Sequence, residues 1–394
     1  MYRIPVAHPL RDNSPSSTHA NPLITYDDRL IWARHAQSLG VDFAQRVAFV
    51  EGIDHALIAL GERPFRVTPC ARADDLSSAL GFEIDGGIWL KDETNNVSGS
   101  HKARHLISTA LLLLAQERSG VRRRDRRSPL AIASCGNAAL AAAVLAHAVD
   151  WPLHVFMPEW ASSAVTSAVA NHSATVVRCP RLDSDPPGDP CIFRFREAVT
   201  RGAIPFSVQG TDNAYCNDAG RTLAWEVADS GVSFDAVFVQ VGGGALATSL
   251  AHGLADAMPV VPRFYAVQAL GCAPFIAAYH EATQRNFIDL GRHWDRVMQP
   301  WPNEPTSVAT GILDDETYDW LGFIDAVNST GGTAVTATED HIGEAYDLVW
   351  RHTTIAADHT GTAALAGLLA HRSALGNHER ILVPITGRQR SKVD

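Results

Sequence analysis

Short apolar runs recur along the chain and end at Gly, Pro or Ser, a pattern typical of buried β-strands. Each run is rich in Val, Ile and aromatic residues. The seven segments that fit are 87–92 (GIWLKD), 129–134 (PLAIAS), 153–158 (LHVFMP), 175–179 (TVVRC), 236–242 (AVFVQVG), 263–269 (RFYAVQA) and 380–387 (RILVPITG). We therefore predict buried strands at these positions.

Longer Ala- and Leu-rich stretches lie between these runs, such as residues 102–118 and 137–149, and their length and composition favour helix. Strands alternating with helices require crossover connections, so we predict an α/β fold with open, mostly parallel sheets. In such sheets ligands bind beyond the carboxyl ends of the strands. Three loops in that position are unusual: SGSHK (98–102), SCGNA (134–138) and GGGAL (242–246).

Composition and charge exclude several classes of protein. Of 394 residues 46% are hydrophobic, enough for a sizeable core, and 43 acidic residues outnumber 33 Lys and Arg. The formal charge of −10 argues against general binding to nucleic acid or anionic lipid. No apolar stretch reaches the roughly 18–20 residues of a membrane-spanning helix. The N-terminal segment lacks the apolar region of a secretory signal, so we expect a cytoplasmic protein. The six cysteines form no C-x-x-C pair, and no metal site is expected.

The glycine loop follows a predicted strand and precedes a helix-compatible run. Gly242, Gly243 and Gly244 let backbone N–H groups approach an anion closely, and the helix N-terminus adds positive potential. We therefore predict a phosphate cradle. The loop also fits G-x-G-x-x-A, the fingerprint of NAD-binding dehydrogenases. That alternative needs an acidic residue near the end of the next strand, where this chain has Gln268.

Lys102 lies after the polar turn SGSH, where the predicted helix begins. The helix macrodipole disfavours a cation there, and a depressed pKa makes a lysine a better nucleophile and base. In the SCGNA loop, backbone N–H groups and the amide of Asn137 can hold a carboxylate. Thr386 and Gly387 end the last predicted strand, where a hydroxyl can face a ring nitrogen.

These motifs occur in the order Gly-Ser-x-Lys, Ser-x-Gly-Asn, Gly-Gly-Gly-x-Leu and Thr-Gly, and together they resemble the fold-type II pyridoxal phosphate enzymes. That family includes threonine synthase, threonine and serine dehydratases, cysteine synthase and the tryptophan synthase β subunit. The resemblance extends from Thr68-Pro69 to Thr386. Segments 220–227, 265–275 and 361–369 look most like threonine synthase.

The resemblance implies pyridoxal 5′-phosphate as cofactor and assigns roles to residues. Lys102 is expected to bind the cofactor as a Schiff base and to move the α-proton of the substrate. His101 is expected near the cofactor phosphate. The alternatives for His101 are that it caps the helix or that it only contacts solvent. The other expected cofactor-binding residues are Asn137, Gly242, Gly243, Gly244, Ala245, Leu246 and Thr386. The expected substrate-binding residues are Ser134, Cys135, Gly136, Asn137, Ala138 and Arg104.

The expected reaction is α,β-elimination on a β-substituted L-amino acid, as in a dehydratase or ammonia-lyase. The alternative is a replacement synthase similar to threonine synthase. Here Ala103-Arg104 follows the lysine where threonine synthase has Asp-Arg, and Thr386-Gly387-Arg388 departs from its final motif, which puts its phosphorylated substrate in doubt. Arg104 and Arg388 still offer cations for an anion. More distant alternatives are the dehydrogenase and a non-catalytic, small-molecule-binding paralogue.

The resemblance also implies two αβα domains and a homodimer. We expect an N-terminal extension and the first part of the large domain at 1–98. A small, mobile domain that carries the carboxylate loop is expected at 99–209, and the large cofactor-binding domain at 210–394. The expected partner is a small amino-acid substrate, not a nucleic acid or a membrane.

Overall fold

The structure, a computed structural model, describes residues 20–186 and 188–390. The first 19 residues, on which the expected lack of a secretory signal rests, lie outside the described residues.

Helices and short strands alternate along most of the described chain. The helices are α1 (Pro22–Thr25), α2 (Ile31–Ser38), α3 (Phe43–Ala59), α4 (Asp74–Ala79), α5 (Arg104–Arg118), α6 (Asn137–Ala148), α7 (Ser163–Asn171), α8 (Pro190–Thr200), α9 (Thr222–Asp229), α10 (Ala245–Ala257), α11 (Pro274–Gln284), α12 (Trp294–Val297), α13 (Trp320–Ser329), α14 (Glu339–His352) and α15 (His359–His371). The strands are β1 (Cys70–Arg72), β2 (Gly87–Asp92), β3 (Leu130–Ala133), β4 (Leu153–Met157), β5 (Thr175–Arg178), β6 (Ile204–Pro205), β7 (Ala236–Gln240), β8 (Arg263–Ala269), β9 (Thr333–Ala337) and β10 (Arg380–Ile385).

The strands form two sheets. The larger sheet has the order β1-β2-β10-β7-β8-β9 and the smaller one the order β5-β4-β3-β6. Every pairing is parallel except β1 with β2. The predicted α/β fold with open, mostly parallel sheets is therefore confirmed. The strands of the smaller sheet lie between residues 130 and 205, within the range expected for the smaller domain; its mobility stays a prediction.

All seven predicted strands are present, but β5 lies at the edge of the smaller sheet and none of its residues is buried, so the predicted burial is wrong there. Three more strands were not predicted. β1 and β6 have three and two residues, too short to show a pattern. β9 reads TAVTA, in which small and polar residues dilute the apolar signal. Such strands form because a neighbouring strand offers backbone N–H and C=O groups for hydrogen bonding. The local sequence gives no sign of that neighbour.

Helices cover the sheets and form the core with them. Two apolar clusters lie on the larger sheet, one including side chains of α14 and α15 and the other side chains of α10 and α13. A third cluster joins the smaller sheet to α5, α6 and the N-terminal helices. Both α5 and α6 are buried along most of their length, which explains their lack of a polar face. Within the described ranges, no helix is both long and apolar enough to cross a membrane.

The strand order determines where the unusual loops meet. β10 lies between β2 and β7, and all three run parallel. The segment after β2 that contains Lys102, the glycine loop after β7 and Thr386 after β10 therefore emerge at one edge of the larger sheet.

Candidate active site

The turn that carries Lys102 is hydrogen-bonded to the segment that follows β10. Ser100 and Gly387 form an isolated antiparallel bridge, and the N–H of His101 donates to the Thr386 carbonyl oxygen at 3.2 Å. Ser98 adopts a left-handed backbone conformation with φ 55°, an uncommon conformation for a residue other than glycine. Because of these contacts, Lys102 and Thr386 occupy the same part of the site.

Lys102 is half-buried at a short 3-10 turn, His101–Ala103, just before α5. Burial lowers the pKa of its ammonium group, while Asp314 and Cys216 oppose that shift. The predicted direction is confirmed, with burial as its first cause. The chain has only three lysines. Lys91 is fully buried and ion-paired with Glu226, and Lys392 lies outside the described residues, so Lys102 is the one described lysine that a ligand can reach.

The glycine loop leads into α10, whose N-terminus has no side-chain cap among the described residues. The first N–H groups of a helix lack intrahelical acceptors, so they remain free for an anion. Gly244 has φ 96°, which favours glycine. A Cβ on Gly242 would lie 2.5 Å from Oδ2 of Asp314 and 3.0 Å from Cα of Ile312, so no larger residue fits there.

Asp314 is a site residue that the sequence analysis missed. Its carboxylate lies against the glycine loop, and burial raises its pKa to about 6, with Lys102 lowering the pKa and Asp315 raising it further. The one available signal was the acidic run Asp314-Asp315-Glu316, but an acidic run is ordinarily a solvated surface.

The SCGNA loop follows β3 of the smaller sheet and leads into α6. Burial raises the pKa of the Cys135 thiol, and the carboxylates of Asp189 and Asp314 add to the shift. No side chain caps the N-terminus of α6 among the described residues, which leaves N–H groups for a carboxylate. The amide oxygen of Asn137 accepts from the Arg390 guanidinium at 2.9 Å.

The predicted loop residues keep their backbone at the site while their side chains differ in exposure. Ser134, Gly136 and Asn137 are half-exposed, whereas Ala138, Ala245 and Leu246 are buried beneath the loops. The Asn137 amide nitrogen would lie 3.2 Å from a Cβ placed on Gly387. The structure thus brings the smaller sheet's loop to the end of β10.

Thr386 is almost fully buried directly after β10. Its Oγ1 accepts a hydrogen bond from Nε2 of Gln240 at 2.6 Å, and the same nitrogen donates to the Thr360 carbonyl oxygen at 3.1 Å. Gln240 ends β7, the strand beside β10. Sequence analysis did not single out Gln240, because it reads as the last residue of a buried strand.

His101 lies in a buried histidine pair. Nδ1 of His101 is 3.1 Å from Nε2 of His105, and Nδ1 of His105 is 3.0 Å from the Cys216 carbonyl oxygen. A carbonyl only accepts, so His105 donates from Nδ1 and accepts from His101. Burial lowers the pKa of His105 to about 3 and that of His101 well below its ordinary value. The side chain of Ser100, not that of His101, caps the turn. Because His101 is buried, contact with solvent is excluded as its role. Its expected place near the cofactor phosphate stays a prediction.

Arg104 does not face a substrate, which corrects the sequence expectation. Its side chain is 1% exposed and is ion-paired with Glu93 at 2.8 Å and with Glu226 at 2.6 Å. It also donates to the hydroxyls of Thr68 and Thr222. Burial alone would lower the pKa of the guanidinium, but the two carboxylates raise it, and Arg104 in turn helps to lower the pKa of Glu93 to about 2. Two residues beyond Lys102, this side chain points into the protein.

The residues at the sheet edge fit pyridoxal phosphate. An uncapped helix N-terminus suits its phosphate, a half-buried lysine of lowered pKa suits its aldehyde, and the hydroxyl of Thr386 has no acceptor of its own in the described part of the chain. The Asp314 carboxylate beside the glycine loop opposes an anion.

Comparison with known proteins gives the class to which this fold and site correspond. The family model for pyridoxal-phosphate dependent enzymes matches residues 62–387. The chain belongs to this family, and the predicted cofactor is confirmed.

Relatives within the family differ in their reactions. The threonine synthase of Methanosarcina acetivorans is 24% identical over 336 residues, covering 81% of this chain and 74% of that protein. The biosynthetic L-threonine dehydratase of Haemophilus influenzae is 24% identical, covering 80% of this chain but only 55% of its own length. The diaminopropionate ammonia lyase of Escherichia coli shares the fold, with a TM-score of 0.65 and 16% identity over 87% of this chain and 88% of that one.

Proposed function

We propose that this protein catalyses α,β-elimination on an L-amino acid that carries a hydroxyl or another leaving group on its β carbon. The observation that carries the proposal is the neutral hydroxyl of Thr386 at the end of β10, with an amide rather than a carboxylate beside it. The bound cofactor withdraws electrons from the α carbon of the substrate. A neutral hydroxyl does not keep the ring nitrogen protonated as an aspartate would, which weakens electron withdrawal and favours rapid loss of the β substituent over transamination.

The chain's own residues supply binding and proton transfer. Lys102 would hold the cofactor and then remove the α-proton, because its lowered pKa leaves more neutral amine at physiological pH. The uncapped N-terminus of α6 and Asn137 would orient the substrate carboxylate. The glycine loop, residues 242–246, would hold the phosphate.

The charges near Lys102 favour an uncharged or cationic leaving group over a phosphate. Arg104, one of the two cations considered for an anionic substrate, is fully committed to Glu93 and Glu226. Asp314 adds negative charge beside the glycine loop, and Asp315 follows it. A phosphate on the substrate would be repelled by these carboxylates without the glycine-loop N–H groups that offset the repulsion for the cofactor phosphate, and like charges in a partly desolvated site repel more strongly than in water.

A replacement synthase similar to threonine synthase is the second candidate. Threonine synthases are prominent among the relatives found, and Arg388 remains exposed next to Gly99 as a cation for an anionic group. The two candidates differ in leaving group and in product. An elimination releases ammonia and a keto acid, whereas a replacement consumes a nucleophile and keeps the amino group.

A substrate panel separates the candidates. The purified protein is incubated with serine, threonine, their O-phospho and O-acetyl derivatives and 2,3-diaminopropionate, and keto acid and ammonia are measured. Elimination predicts equal amounts of both from an unphosphorylated hydroxy amino acid. Release of inorganic phosphate without ammonia would contradict elimination and support the synthase.

The role of Lys102 is tested by borohydride reduction and peptide mapping, with three lysines as possible sites. We expect a phosphopyridoxyl group on Lys102 alone. Lys102→Ala should lose both the label and turnover, with a fall in rate of at least ~10³-fold. A label on Lys91 or Lys392 would refute the assignment. The homodimer, the cytoplasmic location and the mobile smaller domain remain part of the proposal, and sedimentation velocity tests the first of these.

A further inference from the structure

We propose that Gln240 is a positioning residue that turns the Thr386 hydroxyl so that it donates to the cofactor's ring nitrogen and keeps that nitrogen unprotonated. The inference rests on the place given to Thr386 in the proposed function. It adds a residue from a different strand, with a role that is separate from binding or catalysis.

The fold brings the two side chains together from distant parts of the chain. Gln240 is the last residue of β7, and Thr386 is the first residue after β10. The two strands pair in parallel, so their carboxyl ends meet at the same sheet edge. Both residues are buried, with 4% and 2% of their surface exposed, and Nε2 of Gln240 lies 2.6 Å from Oγ1 of Thr386.

The neighbours of Gln240 determine which way its amide points. Nε2 also lies 3.1 Å from the Thr360 carbonyl oxygen, which can only accept a hydrogen bond. A flipped amide would place Oε1 against that carbonyl and lose the bond. The two amide hydrogens therefore go to Thr360 and to Thr386, while Oε1 is buried without a partner among the described residues. An unpaired buried oxygen is costly, so this orientation is held for the two donated bonds.

The amide in turn determines the direction of the hydroxyl. A threonine hydroxyl has one hydrogen and two lone pairs. Gln240 occupies one lone pair of Thr386, and the hydroxyl hydrogen finds no acceptor in the described part of the chain. The hydrogen is free to point into the site. A ring nitrogen with a lone pair accepts it, whereas a protonated nitrogen would leave it unpaired.

A carboxylate at this end of the site, that of Asp358, is already engaged as a helix cap. Oδ1 of Asp358 accepts the N–H of Gly361 at 2.6 Å and caps α15, while a Cβ on Gly387 would lie 2.8 Å from it. Asp358 is therefore a matched control: Asp358→Asn removes the charge but keeps a capping side chain.

The experiment measures the state of the ring nitrogen directly, without turnover. The protein is loaded with pyridoxal 5′-phosphate labelled with ¹⁵N in the ring, and the nitrogen chemical shift is recorded. The wild type should show an unprotonated nitrogen. Gln240→Glu cannot offer two N–H groups, so the Thr386 hydroxyl turns to donate to the introduced carboxylate, and the shift should move toward the protonated value. Asp358→Asn should leave the shift unchanged.

A second variant keeps the test decisive if Gln240→Glu fails to fold. Gln240→Met has a similar volume but no donor, and we expect the dissociation constant for pyridoxal 5′-phosphate to rise by roughly fivefold, the worth of one modest hydrogen bond. In a Thr386→Val background the same change should have no further effect. An equal effect in both backgrounds, or a protonated nitrogen in the wild type, would overturn the proposal.

These outcomes are independent of the reaction catalysed. If the substrate panel shows replacement instead of elimination, the nitrogen shift still decides the role of Gln240. If the shift behaves as expected but no amino acid is converted, the proposed function fails while the positioning role stands.

Discussion

Arg104 and Glu226 form a fully buried ion pair, with Nη1 of the arginine 2.6 Å from Oε1 of the glutamate. Lys91 and Glu93 complete the cluster. Removing one partner from such a cluster leaves a charge buried without compensation, which is far more costly than the net contribution of the pair. The cluster ties α5, just after Lys102, to α9 and β2.

We predict that Arg104→Met lowers the free energy of unfolding by about 3–5 kcal/mol, measured by chemical denaturation. Arg388→Met, at an exposed position, is the control and should change it by less than ~0.5 kcal/mol. An unchanged stability together with a raised KM for the substrate would restore Arg104 as a substrate-binding residue.

Asp314 should slow the capture of the cofactor. Its carboxylate raises the pKa of Lys102 and lies beside the glycine loop where a phosphate would bind. We predict that Asp314→Asn lowers the Lys102 pKa further, speeds covalent capture of pyridoxal 5′-phosphate at neutral pH and tightens its binding. Two unit charges in contact interact by about 1 kcal/mol even in bulk water and by more in a partly buried site, so an effect of at least roughly fivefold is expected.

Absorbance during reconstitution of the cofactor-free protein measures the rate of capture. Asp315→Asn is the control, because the Asp315 carboxylate acts on Asp314 and is not among the causes of the Lys102 shift. If both variants accelerate capture equally, the acceleration results from the loss of one negative charge in this region and not from the position of Asp314.

The buried histidine pair should make stability depend on pH. The folded pKa of His105 is about 3, below its ordinary 6.5, so the folded protein binds fewer protons than the unfolded chain between these values. Stability is therefore lost as the pH falls below 6.5. At pH 5 the contribution of this one group is ~2 kcal/mol.

His105→Gln removes this group, so the loss of unfolding free energy between pH 7 and pH 5 should be about 2 kcal/mol smaller in the variant than in the wild type. Comparing the two pH values cancels any effect of the substitution that does not depend on pH. Parallel pH profiles for the two proteins would show that His105 is protonated in the folded state.

Thr386→Asp should change the balance of reactions at the site. A carboxylate there can keep the ring nitrogen protonated through a charge-assisted hydrogen bond, whose worth of about 1.5–3 kcal/mol corresponds to roughly a tenfold to hundredfold change in a rate. We expect less elimination and more abortive transamination, measured as pyridoxamine phosphate formed per turnover. Thr386→Ser keeps the hydroxyl and should behave as the wild type. Unchanged pyridoxamine phosphate formation would contradict the role given to the hydroxyl.

Much of the fold could be predicted from local patterns. The seven predicted strands and the two core helices are present, because all the strands but β5 are largely buried, and burial on both faces demands continuous apolar runs that a short window of sequence displays. The glycine loop was also predictable, because three consecutive glycines between an apolar run and a helix-compatible run are visible in the sequence. The family resemblance depended on these same local motifs.

The directions of individual side chains could not be predicted this way. Arg104 was expected to bind an anion because it lies two positions after Lys102. Its side chain instead points into the protein and pairs with Glu226, 122 residues away. Asp314 was not singled out from the sequence, and it lies against the glycine loop.

The sequence by itself determined the order of strands and helices, the loops at the strand ends and the chemistry of the groups they carry, because these follow from short-range periodicity and residue type. The tertiary structure alone decided which groups meet. Gln240 and Thr386 are 146 residues apart and touch because β7 and β10 are neighbours in one sheet. Hydrogen bonds and charge pairs act over a few ångströms, so the direction of a hydroxyl or the pKa of a lysine depends on neighbours that only folding brings within reach.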